Sequence, residues 1–124
     1  MAKILLSIKP EYSKKILEGT KTFEYRKHLS KKNISRIVIY STAPECSVVG
    51  EVEVLGTITM SRSKLWETTK CGAGISRDKF REYFPPKKNA HAYVLGKVYV
   101  YDIPKKLSDY GIKQAPQSFI YLDK

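Results

Sequence analysis

The segment Gly19-Thr20-Lys21-Thr22-Phe23-Glu24-Tyr25-Arg26 brings an ammonium, a carboxylate and a guanidinium close together in the chain. Read as an extended strand, it puts Lys21, Phe23 and Tyr25 on one face and Thr22, Glu24 and Arg26 on the other. Glu24 and Arg26 can then reach each other, and a bend at the strand entrance brings Lys21 round to the same cleft. The three side chains offer nitrogen donors and one carboxylate acceptor, a set that can hold a phosphate or the polar edge of a base. If burial moves the pKa of Lys21 or Glu24, the same pair becomes the candidate catalytic acid and base. The competing reading is a solvated ion-pair ladder on an exposed strand, a common arrangement of little energetic weight.

Other candidates sit where strands must stop. Ser41 and Thr42 precede Ala43-Pro44, and their hydroxyls suit phosphate or base contacts, or else cap a turn. Gln117-Ser118-Phe119 can bring an amide and an aromatic to the same end of the barrel, the competing reading being that Phe119 is core, with Gln117 and Ser118 as the candidate ligand-binding residues. Lys27, with Lys31, Lys32 and Arg36, would follow a phosphate backbone if the run lies beside the cleft, and is a solvated loop otherwise. Nine tyrosines and the single Trp66, flanked by Lys64 and Lys70, include possible base-stacking platforms. Most such residues serve as core anchors with a wet polar edge.

The elements that would position these groups follow from pattern. Ile4–Ile8 is a compact β-rich run. Pro10 suits the first turn of a helix, Glu11 complements its dipole, and Gly19 stops it in the left-handed region. Tyr12, Ile16 and Leu17 share one face of that helix. The motif strand follows, then a polar loop over residues 27–33 and a strand over Ile34–Tyr40. Val48–Met60 is rich in β-branched residues, with Gly50 and Gly56 predicting bulges or bends. Glu51 and Glu53 alternate with Val52 and Val54, so one side of that strand is wet.

A short helix is expected over Lys64–Lys70. A second, capped by Ser76, runs from Arg77 to Phe84 and ends before Pro85-Pro86. Ala90–Ile103 is a long strand or bent hairpin arm, Leu107–Tyr110 is one helical turn before Gly111, and Ser118–Leu122 is a terminal strand. Five or six strands joined mostly by short connections, with two or three short helices, point to an α+β domain: a mixed or antiparallel barrel rather than a doubly wound sheet. The whole of residues 1–124 reads as one domain.

Charge sharpens the picture. Lys and Arg number 23 against 12 Asp and Glu, a net charge of +11. Residues 1–36 hold ten basic and three acidic residues, so +7 of that charge lies in the first third. Such an excess favours polyanions, while a purely solubilising role is the plain alternative. Cys46 and Cys71 are far apart, and His28 and His91 are isolated, so neither a metal site nor a cofactor is expected. The amino-terminal residues lack a long apolar run and no stretch reaches membrane-spanning length. A cytoplasmic protein with no membrane partner is therefore the expectation.

Gly19, Lys21, Glu24 and Arg26 match the pattern GxKxxExR, and their context matches with them: a first strand ending Ser7-Ile8-Lys9-Pro10, a short helix ending at Gly19, then the motif strand. This block resembles the ASCH family of the PUA-like superfamily. Tyr40-Ser41-Thr42-Ala43-Pro44, Gly50-Glu51, Gly74-Ile75-Ser76 and Pro116-Gln117-Ser118-Phe119 resemble a bacterial, archaeal and phage subgroup usually labelled predicted transcriptional regulators. The resemblance implies a PUA-like β-barrel whose cleft, beside the first helix, is lined by Lys21, Glu24 and Arg26 together with Ser7 and Lys9. It implies RNA, another nucleic acid or a nucleotide-like ligand as the partner.

One branch of the family consists of amidohydrolases acting on N4-acetylcytidine. It uses a Lys, a Thr three residues later and a distant Glu. Here Lys21 is present but Glu24 stands where that Thr would be, so the activity does not carry over directly. The leading expectation is a nucleic-acid-binding module. An enzyme acting on RNA or a modified nucleoside is the alternative, and a protein-partner-binding regulatory domain is the third.

Overall fold

The computed structural model describes residues 2–122. Its first strand, β1 (Ala2–Ile8), alternates its apolar residues between two faces. Ile4, Leu6 and Ile8 enter one core and Leu5 enters another. Helix α1 (Pro10–Glu18) starts on its proline and buries Ser13 and Ile16. It ends at Gly19, whose φ of +86° is a backbone state that a Cβ makes costly.

The motif strand β2 is shorter than its alternation predicts, covering Phe23–Arg26. Lys21 lies outside it because residues 20 and 21 still close the helix. The Lys21 amide donates to the Lys15 carbonyl, and the Thr22 amide to the Gly72 carbonyl.

Strand β3 (Ile34–Ser41) is followed by β4 (Ser47–Ser61), and β5 (Asn89–Lys105) is the longest strand. The β4–β5 register slips next to Gly50 and between Val54 and Gly56, where the sequence calls for bends. Between these two strands lie α2 (Arg62–Thr69), a 3-10 turn over Lys70–Gly72, and α3 (Arg77–Tyr83). Ser76 caps α3 by accepting from the Lys79 amide at 3.2 Å. A second 3-10 turn (Leu107–Tyr110) and β6 (Phe119–Leu122) complete the described chain.

The strands form one mixed sheet in the order β2-β5-β4-β3-β1-β6. Only β1 and β3 run parallel, and α1 contributes to the connection between them. The α+β class of the sequence reading therefore holds. One core, containing Ile37, Ile39, Val52 and Tyr93, lies on the side covered by α1. A second packs Tyr25 against Phe80 and Phe84 of the α2–α3 region. The third, around Val38 and Val48, is closed by Leu107, Tyr110 and Ile120. No helix among the described residues is long and apolar enough to cross a membrane.

Candidate functional site

Lys21 is the unusual residue. It is only 3% exposed. Its Nζ donates to the Ala73 carbonyl at 2.6 Å and lies 4.9 Å from the Tyr25 ring centre and 5.4 Å from that of Tyr12. Burial pushes its pKa below the ordinary lysine value, with the Lys15 and Arg26 charges adding to the effect and Glu24 opposing it. The lysine stem runs against Gly74, where a Cβ would come within 2.6 Å of the Lys21 Cβ. Gly74 also has a φ of +64°, so both backbone and space require glycine there.

Glu24, likewise buried, presents Oε2 to Arg26, at 3.0 Å from Nε and 2.9 Å from Nη2. Arg26 Nη2 also donates to the Ser7 carbonyl at 2.9 Å, tying β2 to the end of β1. Each member of the trio therefore uses part of its hydrogen-bonding capacity on the protein and keeps part free. Lys21 has further N–H donors, Glu24 keeps Oε1, and Arg26 keeps Nη1. Period-two alternation brings Glu24 and Arg26 together, and the turn after α1 delivers Lys21 to them. The expected juxtaposition is present.

These groups line a cleft of about 530 Å³, within the usual range for small-ligand sites. Ser7, Lys9 and Lys27 line it too. Ser7 donates its hydroxyl to the Pro116 carbonyl at 2.7 Å, and Lys27 caps the Tyr83 ring at 5.1 Å. One wall comes from Ile75, Lys79, Glu82 and Tyr83, on and just before α3, and another from Tyr12 on α1. Sequence reasoning missed this α3 wall. Its signal was the i, i+4 pair Lys79 and Tyr83 on a capped helix, read there only as a short helix ending before Pro85-Pro86. Burial raises the pKa values of Tyr12 and Tyr83, and it pushes Tyr25 up to about 12, so all three hydroxyls stay protonated at neutral pH.

Four expected residues do not join the cleft. Ser41 is fully buried beneath α1, with its hydroxyl shared between Ser13 Oγ at 2.8 Å and the Glu45 carboxylate. It ends β3 opposite Ile8 and is not among the residues that line the cavity. Thr42 continues past it, with its amide on the Ile8 carbonyl at 3.0 Å. Gln117 and Ser118 are exposed ahead of β6, which pairs with β1 from Leu6 onward. That segment meets the site through the Pro116 carbonyl.

The basic run also divides. Lys32 lies over Tyr121, whereas Arg36 points to the far face, pairing with Glu51 at 3.1 Å and stacking on Tyr99. Glu51 accepts from Tyr101 on that same far face, and Glu53 accepts from the Lys97 amide. Neither glutamate lines the cleft.

Fold and site together define a small mixed-sheet domain with a basic, aromatic-walled cleft at the end of its first strand. The ASCH domain family model matches residues 6–119, and the chain belongs to that family. Over 92 residues it is 33% identical to the ASCH domain-containing ribonuclease of Zymomonas mobilis, covering 73% of this chain and 62% of that protein. The crystal structure of ASCH from Zymomonas mobilis is similar with a TM-score of 0.90 and 30% identity, covering 98% of this chain and 88% of that one. A match at 31% identity to a protein named ATP synthase subunit alpha of Ureaplasma parvum covers 96% of this chain but 15% of that protein. A match to large ribosomal subunit protein uL22 of the same species covers 39% of its length. The chain thus spans well under half of these two longer relatives.

Proposed function

We propose that this chain binds RNA as a single cytoplasmic domain, holding one nucleotide in the Lys21–Glu24–Arg26 cleft. The observation that carries the reading is the unspent capacity of the trio. Lysine N–H groups, Arg26 Nη1 and Glu24 Oε1 converge on one cavity, offering donors for phosphate or base oxygens and one acceptor for a base amine or a ribose hydroxyl. Tyr12 and Tyr83 supply aromatic surface at its walls, and Lys9, Lys27 and Lys79 supply positive charge. The similarity to a ribonuclease of Zymomonas mobilis supports RNA as the partner.

A second reading, cleavage of the bound strand, is favoured by the lowered pKa of Lys21. Burial makes the neutral amine easier to reach, and a neutral amine can accept a proton from a ribose 2′-hydroxyl as it attacks the adjacent phosphorus. The lysine returns that proton to the departing 5′-oxygen as the P–O5′ bond breaks, leaving a 2′,3′-cyclic phosphate and a 5′-hydroxyl.

One titration separates the readings. Wild type and a Lys21→Ala/Arg26→Ala variant are titrated with single-stranded RNA at about 50 mM and about 200 mM salt, and the RNA is recovered for sizing. Salt-sensitive affinity that the variant loses is the expected result. Affinity that ignores both salt and the substitutions refutes the binding reading. Intact RNA after prolonged incubation with wild type refutes cleavage alone.

A further inference from the structure

Helix α3 has two working sides. Lys79, Glu82 and Tyr83 face the cleft. Arg77, Phe80 and Arg81 line a second hollow of about 70 Å³, completed by α2 through Arg62, Ser63, Trp66 and Glu67. Trp66 is half-buried, its ring tilted 49° against Phe80 at 5.1 Å between centres. The Arg62 guanidinium is fixed by donating to the Arg81 and Phe84 carbonyls, each at 3.2 Å. Glu67, the one acid of the hollow, is engaged with Lys70 at 2.9 Å. Among the described residues, Arg62, Arg77 and Arg81 have no carboxylate within ion-pair distance. Arg77 and Arg81 are exposed at i, i+4 on a short helix, where like charges destabilise. Helix stability does not call for this arrangement, whereas a polyanion would be well served by it.

We propose that this hollow is a second nucleotide subsite, resting on the RNA reading of the cleft. A strand with one nucleotide in the cleft crosses α3 and stacks a neighbouring base on Trp66, while Arg77 and Arg81 meet its phosphates. The hollow is too small to enclose a base, so the base lies over the indole. A helix is about 10 Å across, so the two subsites are separated by a distance that a few nucleotides of single strand can span.

Trp66 is the only tryptophan of the chain, and its fluorescence reports on this subsite alone. The probes are 2′-O-methyl oligouridylates of two and ten residues, which cannot undergo 2′-hydroxyl attack. The decamer is expected to quench Trp66, and the dimer to bind by calorimetry without quenching. An Arg77→Gln/Arg81→Gln variant weakens the decamer about tenfold at low salt. It also flattens the dependence of log affinity on log salt by about 1.4, two single-strand phosphate contacts, and leaves the dimer unchanged. Lys105→Gln/Lys106→Gln, which removes equal charge at the far end of β5, leaves both probes unchanged. Absence of quenching, a wild-type salt slope in the Arg77/Arg81 variant, or an equal loss in the lysine control each overturns the subsite. Decamer binding that quenches Trp66 but ignores Lys21→Ala overturns the cleft reading and leaves the subsite standing. If neither probe binds, both proposals fail.

Discussion

Replacing Lys21 by methionine should remove RNA affinity while leaving the fold nearly as stable as before. The side chain is buried, so its ammonium has surrendered most of its hydration, at a cost of several kcal/mol. Against that stand one charge-assisted bond to the Ala73 carbonyl, worth about 2 kcal/mol, and two aromatic contacts worth about 1 kcal/mol each. The terms cancel to within about 1 kcal/mol, and methionine refills the same volume. The melting temperature at pH 7 should therefore move by no more than about 4 °C.

The pH dependence supplies the sharper check. The pKa of Lys21 is lowered on folding, so above its folded value the unfolded chain binds more protons than the native one. Wild type should consequently gain stability relative to Lys21→Met as pH rises through the lowered folded value toward the ordinary lysine range. Chemical denaturation of both proteins across that interval measures the gap. A loss above about 3 kcal/mol at pH 7 would make the ammonium a structural group. A gap that stays constant with pH would show that burial does not depress its titration.

Gly74→Ala should destabilise by about 2–4 kcal/mol, combining a left-handed φ with a clash against the Lys21 stem, and should weaken RNA binding in step. Denaturant midpoints and RNA titration test both parts. Arg26→Ala should cost about 3 kcal/mol because it strands the buried Glu24 carboxylate, and adding Glu24→Gln should recover part of that loss, which a double-mutant cycle measures. Glu51 titrates below its ordinary value: burial opposes this, but the Tyr101 and Arg36 hydrogen bonds and the Lys3 charge outweigh it. Its contribution is complete above the ordinary glutamate pKa and is lost as pH falls through the lower folded value, so Glu51→Gln should flatten the acid limb of the stability profile. Ser76→Ala should cost about 1 kcal/mol by thermal unfolding through loss of the α3 cap, and should loosen the wall carrying Lys79 and Tyr83.

The strand and helix plan was legible because local signals carry it. Pro10 and Gly19 bracket α1, Ser76 and Pro85 bracket α3, and Gly50 and Gly56 mark the points where the long strand slips register. The Glu24–Arg26 pair was legible for the same reason, since period-two spacing alone brings the two side chains together. Long-range placement was not. Ser41 has the polarity of a ligand-binding residue, yet α1 covers it through Ser13, 28 residues earlier. Gln117 and Ser118 approach the site through the neighbouring Pro116 carbonyl instead of their side chains. The α3 wall escaped notice because its residues lie far along the chain from the motif, and the docking of α3 beside β2 brings them near.

The four motif positions divide their labour in a way that explains why those residue types are needed together. Gly19 ends the helix, so the next residues can turn back and send Lys21 inward instead of along the strand. That inward path places an amine where water no longer solvates its charge, and Gly74 leaves space for its stem. An isolated buried amine would favour neutrality outright. Glu24, also buried, pulls it back toward charge, and Arg26 pairs with that carboxylate while anchoring to Ser7 of β1. The arginine therefore acts twice, stabilising the carboxylate and joining the two strands whose ends form the cleft. A lysine at position 26 could neutralise Glu24 but has no planar fork with which to reach the Ser7 carbonyl at the same time. Arg26→Lys should accordingly keep most of the stability and lose most of the binding, a split that loss of charge alone would not produce.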